Sequence, residues 1–103
     1  KTSGYRVSPS EVEEVVYNLQ GISQAAALGL PHPMLGQAIL LVITTHGTVT
    51  ASEVLQHCKK ELPNFMVPQQ IVILGEMPHN QNGKIDRKQL ATEYRDLFKE
   101  LQA

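Results

Sequence analysis

"AAALGLPHPMLGQAILLVIT", residues Ala25 to Thr44, contains two short apolar runs, the second rich in branched side chains, separated by "PHPMLG" with two prolines and a glycine. Runs of this kind bounded by such breakers read as two neighbouring strands. The flanking stretches have helical periodicity instead. Upstream, "SPSEVEEVVYNLQG" offers Ser8 as a cap, Pro9 at the first helical position, Glu11 completing a Ser-x-x-Glu box and Gly21 as the stop. Val12, Val15, Val16 and Leu19 form one apolar stripe, and Glu11, Glu13 and Glu14 read as a solvated face matched to the positive end of the helix dipole. Downstream, "TASEVLQHCKKELP" repeats this logic: Thr50 caps, Glu53 sits at the third helical position, Val54, Leu55, Cys58 and Leu62 point inward, and Pro63 ends the helix. A third strand is predicted over Ile71 to Leu74. A last helix starts at the cap Asp86, with Leu90, Tyr94, Leu97, Phe98 and Leu101 along one stripe. The predicted order is helix, strand, strand, helix, strand, helix: an α+β fold with a small sheet of about three strands and helices packed on it.

The chain has 103 residues, enough for one compact domain and too few for two. Apolar residues make up 42% and charged residues 18%, so the composition is globular. Nine Lys plus Arg against ten Asp plus Glu leave a formal charge of −1, which gives no global attraction to nucleic acid or to an anionic membrane. With three Tyr, two Phe and no Trp, there is no aromatic cluster on which bases could stack. The longest apolar stretch, Ala38 to Ile43, is far shorter than the roughly 20 residues that cross a bilayer. The N-terminus has no signal-peptide pattern, so a soluble, cytoplasmic protein is expected. The chain starts on Lys1 rather than Met and reads as part of something longer.

Most residue types able to carry chemistry have a plain reading. Cys58 is the single cysteine, so no internal disulfide can form, and its place on an apolar helix face predicts core packing. His32, His46, His57 and His79 lack the close pairing that metal ligands on one element need, and read as surface or turn residues; no metal site is predicted. No serine lies in a Gly-x-Ser-x-Gly elbow.

Two stretches resist such readings. In "HNQNGKIDRK" the Asn82-Gly83 pair signals a two-residue hairpin turn, with Lys84 directly after it and Arg87 and Lys88 close behind. A lysine on a rigid turn is a point charge that can be carried into an anionic site elsewhere. Ile85 follows it where a phosphate-binding loop would need Ser or Thr, so this is not a P-loop. In "KTSGYRVSP", Gly4 between bulkier residues implies either positive φ or a close approach to the backbone.

Taken together, these stretches resemble the C-terminal domain of the acyl-adenylate-forming enzymes, which include AMP-forming acyl-CoA synthetases, luciferases and the adenylation domains of nonribosomal peptide synthetases. Four motifs occur in the family's order: "KTSGYRVSPSEVEEVV", "GLPHPMLGQ", "LPNFMVP" and "NQNGKIDRKQL". The resemblance covers essentially residues 1–103 and implies a mobile lid domain whose large N-terminal partner domain holds ATP, Mg2+ and the acyl group. It implies a reaction in two halves. A carboxylate displaces pyrophosphate from ATP to give an acyl-adenylate, and a thiol, usually that of coenzyme A, then displaces AMP.

By the same resemblance Lys84 is the adenylation lysine, aimed by Asn82 and Gly83, and a candidate for regulatory acetylation. Gly4 falls on the loop beside the thiol's tunnel in the second half, with Lys1 and Arg6 on that loop. The lid by itself is expected to be inactive and to bind none of these cofactors. Within the family, "YRVSPSEVE" favours an acyl-CoA ligase, whereas "NGKIDRK" and "LPNFMVP" are common in peptide synthetase modules, where a carrier-protein thiol is the acceptor. A free-standing module that docks on a carrier protein or an adenylating subunit is the alternative from a different class.

Overall fold

A computed structural model of the chain describes residues 9–34 and 36–98. In order, the elements are helix α1 (Pro9–Tyr17), strands β1 (Ile22–His32) and β2 (Gly36–Thr45), helix α2 (Ala51–Glu61), a short 3-10 turn (Asn64–Met66), strand β3 (Gln70–Ile73) and helix α3 (Arg87–Tyr94). The α+β class and the element order agree with the sequence reading.

The sheet has the order β1-β2-β3, with β1 and β2 antiparallel and β2 and β3 parallel. Parallel neighbours need a crossover of a dozen or more residues, which α2 and the 3-10 turn supply. In the central strand, Ala38 to Ile43 are all buried. This explains the unbroken apolar run, because helices cover both faces of the sheet and neither set of alternating side chains meets water. On one face, Ala25, Ala27, Ile39, Leu41 and Ile43 pack against Val12 and Val16 of α1 and Val54 and Cys58 of α2. On the other, Ala26, Leu28, Leu40 and Val42 pack against Met77, Leu90 and Phe98.

A β-bulge between Ile22 and Gln24 shifts the register of β1 against β2. The extra residue changes which face the even-numbered side chains take. Ile22 therefore joins the α1–α2 core, whereas Ala26 and Leu28 belong to the opposite one.

The start signals of α2 and α3 hold. Thr50 accepts from the Glu53 N–H (3.2 Å) while the Glu53 carboxylate accepts from the Thr50 N–H (3.3 Å), a complete capping box. Asp86 caps α3 by accepting from the Gln89 N–H (3.0 Å). Ser8 and Leu101 fall outside the described residues.

Several expectations need correction. Gly21 does not itself end α1: the helix closes at Tyr17 and the chain tightens through Asn18 and Leu19, whose N–H groups donate to carbonyls three residues back. The last helix is shorter than its apolar stripe suggested, because after Tyr94 a tight turn, Leu97 N–H to Tyr94 O (2.9 Å), brings Phe98 under the sheet beside His32. Glu13 is not part of a solvated face but only 13% exposed and ion-paired. His57 is no surface residue either: its ring Nε2–H donates to the Val15 carbonyl (2.8 Å) and joins α2 to α1.

Gly21 has φ +103°, and a Cβ there would lie 2.1 Å from Val49 Cγ2. Gly21→Ala therefore meets both a left-handed backbone and a clash, and should lower stability by about 2 kcal/mol or more in a urea titration. The Cys58 thiol is fully buried, and desolvation pushes its pKa up to about 11. Above the ordinary thiol value the unfolded chain releases this proton while the folded chain keeps it, so stability should fall as pH rises from about 9 to 11. Urea midpoints across that window should show a steeper decline for the parent than for Cys58→Ala.

Candidate functional site

The segment after β3 begins still paired to the sheet, with the Leu74 N–H donating to Ile43 O (2.8 Å), and Met77 then anchors it in the core. Beyond Met77 the chain makes a hairpin. His79 and Ile85 form an antiparallel bridge, and the Asp86 N–H donates to Pro78 O (2.9 Å). Inside the bridge, the Asn80 N–H donates to Lys84 O (2.8 Å) and the Gly83 N–H donates to Asn80 O (3.0 Å). The loop therefore spans Gln81 to Gly83, with Gly83 at φ +77°. This is the three-residue turn that closes with a left-handed glycine, rather than the two-residue turn expected from Asn82-Gly83. Among the described residues, no atom beyond its two chain neighbours lies within 4 Å of a Cβ built on Gly83, so glycine is needed there for its conformation and not for space.

Asn80 is the residue that sequence reading missed. Its side-chain Oδ1 accepts from the N–H groups of Asn82 (2.9 Å) and Lys84 (3.2 Å), so the loop is braced from inside. This is the turn-forming habit of asparagine, which puts its side chain on nearby backbone donors. The position could have been suspected from residue type, but the Asn-Gly pair two places later is the louder signal. With Ile85 packed against the α3-side core below it, Lys84 is exposed at the end of a stiff hairpin.

Two side-chain links tie this hairpin to the rest of the domain. At one end, the Gln24 amide nitrogen lies 3.1 Å from His79 Nε2. At the other, Arg87, the first residue of α3, makes a two-pronged pair with Glu13 of α1. Its Nη2 donates to Glu13 Oε1 at 2.8 Å and its Nη1 donates to Oε2. Glu13 Oε2 also accepts from the Ala27 N–H (2.7 Å) on the outer edge of β1. The hydrogen bonds to Glu13 push the Arg87 pKa up, against a smaller opposing effect of burial. No sequence pattern marks this pair, because its members are 74 residues apart.

The three basic residues of this region are thus not equivalent. Arg87 is committed to Glu13, while among the described residues the Lys84 ammonium has neither an ion pair nor a hydrogen-bond partner. Lys88 is exposed. A shallow depression lined by Gln24, Asn80, Lys84 and Arg87 opens beside the turn. Lys88 lines it too, and these two lysines, with no ion pair among the described residues, suit it to meet an anion brought by another surface.

Of the predicted site residues, Asn82, Gly83 and Lys84 come together in this turn. Lys1, Gly4 and Arg6 lie outside the described residues. Among the described residues no three His, Cys, Asp or Glu side chains are grouped to hold a metal ion, and no helix is long and apolar enough to cross a membrane.

Comparison with known proteins agrees with this geometry. The chain is 34% identical over 105 residues to the peroxisomal butyrate–CoA ligase AAE11 of Arabidopsis thaliana, an alignment covering 97% of this chain and 18% of that protein. It is 33% identical over 88 residues to the 3,4-dihydroxybenzoate–[aryl-carrier protein] ligase of Bacillus anthracis, covering 85% of this chain and 21% of the relative. The ATP-bound crystal structure of MatB from Rhodopseudomonas palustris superposes with a TM-score of 0.89 at 25% identity, over 94% of this chain and 20% of that one. The chain therefore spans about a fifth of the length of each. Residues 11–84 match the model of the AMP-binding enzyme C-terminal domain, ending on Lys84. Sheet, hairpin, sequence and superposition lead to one conclusion: the chain belongs to the AMP-binding enzyme C-terminal domain family.

Proposed function

We propose that residues 1–103 are the C-terminal lid of a cytoplasmic, AMP-forming acyl-CoA ligase, with Lys84 as its adenylation lysine. The observation that carries this reading is Lys84 itself: a cation with no ion pair or hydrogen-bond partner among the described residues, on a turn braced by Asn80 and at the end of the family match. In the first half-reaction a carboxylate oxygen bonds to the α-phosphorus of ATP as the bond to the pyrophosphate oxygen breaks. Negative charge gathers on the oxygens around phosphorus. A cation already held in place stabilises that charge without having to reorganise, an effect of about 3 to 4 kcal/mol, or about 10² to 10³ in rate.

ATP, Mg2+ and the acyl group belong to the N-terminal partner domain on this reading, so the isolated chain turns over nothing. In the second half-reaction the thiol sulfur bonds to the acyl carbon and AMP leaves. Gly4 leaves space beside the thiol's path, with Lys1 and Arg6 on the same loop. Coenzyme A is the acceptor that the first-named relative supports, while the Bacillus anthracis relative supports a carrier-protein thiol as the second reading. Offering the full-length enzyme each acceptor in turn decides between them.

In the full-length enzyme, Lys84→Ala should slow pyrophosphate exchange by about 10² to 10³ while thioester formation from supplied acyl-adenylate stays nearly unchanged. Acetylation of Lys84 removes the same charge and should reproduce the defect. Equal loss in both halves would remove Lys84 from the role proposed. Conversely, Gly4→Leu should slow the thiol step and leave pyrophosphate exchange intact, checked with the same pair of assays.

A further inference from the structure

We infer that Glu13 and Arg87, together with Gln24 and His79, are positioning residues for Lys84. They fix the hairpin to the helix–sheet body and thereby set the rate of adenylate formation. The inference rests on the reading of Lys84 given above.

The hairpin's own hydrogen bonds stiffen the turn but do not say where it stands. Met77 and Ile85 root its base in the second core, and its orientation is further fixed by side-chain links at its two ends, His79 before the loop and Arg87 after it. His79 is met by Gln24 at 3.1 Å, and the β-bulge beside Gln24 places that residue on the face opposite to Ile22. Arg87 is met by both oxygens of Glu13. A two-pronged guanidinium–carboxylate pair restricts orientation as well as distance. Glu13 is itself held, since it sits on α1, is 13% exposed and also accepts from the Ala27 N–H of β1.

The clamp thus runs from α1, around the outer edge of β1, to the first residue of α3. Lys84 lies three residues before its end and touches neither link. A lysine side chain is long and flexible, so its ammonium reaches a distant site reproducibly only if its backbone is fixed relative to the body that docks. Displacing a charge by about 1 Å from its working position costs up to about 10²-fold in rate.

The test uses the full-length enzyme and reads pyrophosphate exchange and thioester formation from supplied acyl-adenylate separately, with thermal unfolding recorded in parallel. Arg87→Met should lower kcat for pyrophosphate exchange about 10-fold or more, with KM for ATP and acid and the thioester step changed less than about twofold. Arg87→Lys, which keeps the charge but not the fork, should fall between Arg87→Met and the parent. Glu13→Gln keeps an acceptor for the Ala27 N–H while removing the charge, and Gln24→Leu cuts the other link. Both should show the same half-selective loss, and they decide the matter if Arg87→Met does not fold. Equal loss in both halves, tracking reduced thermal stability, would show a merely structural role and overturn the inference, as would unchanged exchange in these variants. Lys84→Ala run alongside separates the two levels. If it is half-selective while the clamp variants are not, the inference alone fails; if it is not half-selective, the reading of Lys84 fails and takes the inference with it.

Discussion

The outer edge of β1 is the constraint around which the domain is organised. An edge strand leaves a row of backbone donors and acceptors without ladder partners, and these must be satisfied or shielded. Here α1 does both with side chains. The Tyr17 hydroxyl accepts from the Ala25 N–H (2.8 Å), and the Glu13 carboxylate accepts from the Ala27 N–H (2.7 Å). Leaving such a buried donor without a partner costs about 1 to 3 kcal/mol. Because Glu13 also receives Arg87, one carboxylate joins three elements: α1 on one face, the edge of β1, and α3 on the other face. With its Arg87 end about half-exposed, the pair contributes little on its own, about 0 to 1 kcal/mol. Its importance is geometric, since it closes the two helical layers around the sheet.

Behind that edge, the central strand gives the domain its rigidity. With Ala38 to Ile43 buried on both faces, β2 cannot slip by one residue without exchanging the two cores, so the register of the whole sheet is pinned. The parallel return of β3 sends the chain onward to the α3 side of the sheet, where Met77, Ile85 and Leu90 hold the hairpin's base in the second core. The polar tip is left outside. A stiff tip on a stiff body is what a domain needs if it presents one charge to a partner surface and then withdraws it by moving as a unit.

This arrangement also separates two kinds of basic residue that look alike in sequence. Lys84 and Arg87 stand three positions apart, yet Arg87 belongs to the scaffold and Lys84 to the surface it presents. Guanidinium suits the first task, because its planar fork matches a carboxylate and its charge does not titrate away. Ammonium suits the second, as a compact charge on a flexible stem.

Much of the fold was legible because its signals are local. Capping at Thr50 and Asp86, the apolar stripes, and the breakers around residues 31–36 each depend on neighbours a few positions apart. The family motifs and the exposed position of Lys84 were legible for the same reason. The turn was read one step off, since the Asn82-Gly83 pair suggests a two-residue loop and only the pairing of His79 with Ile85 shows that Asn80 starts a three-residue one. The set of elements, their order and the charged tip thus follow from local patterns of residues. The tertiary structure alone decided that β2 and β3 run parallel, that a bulge divides Ile22 from Gln24, and that Glu13 is a clasp rather than a solvated acid. Those outcomes depend on groups dozens of residues apart meeting across a packed sheet, and distance in space is not written in any local pattern of residues.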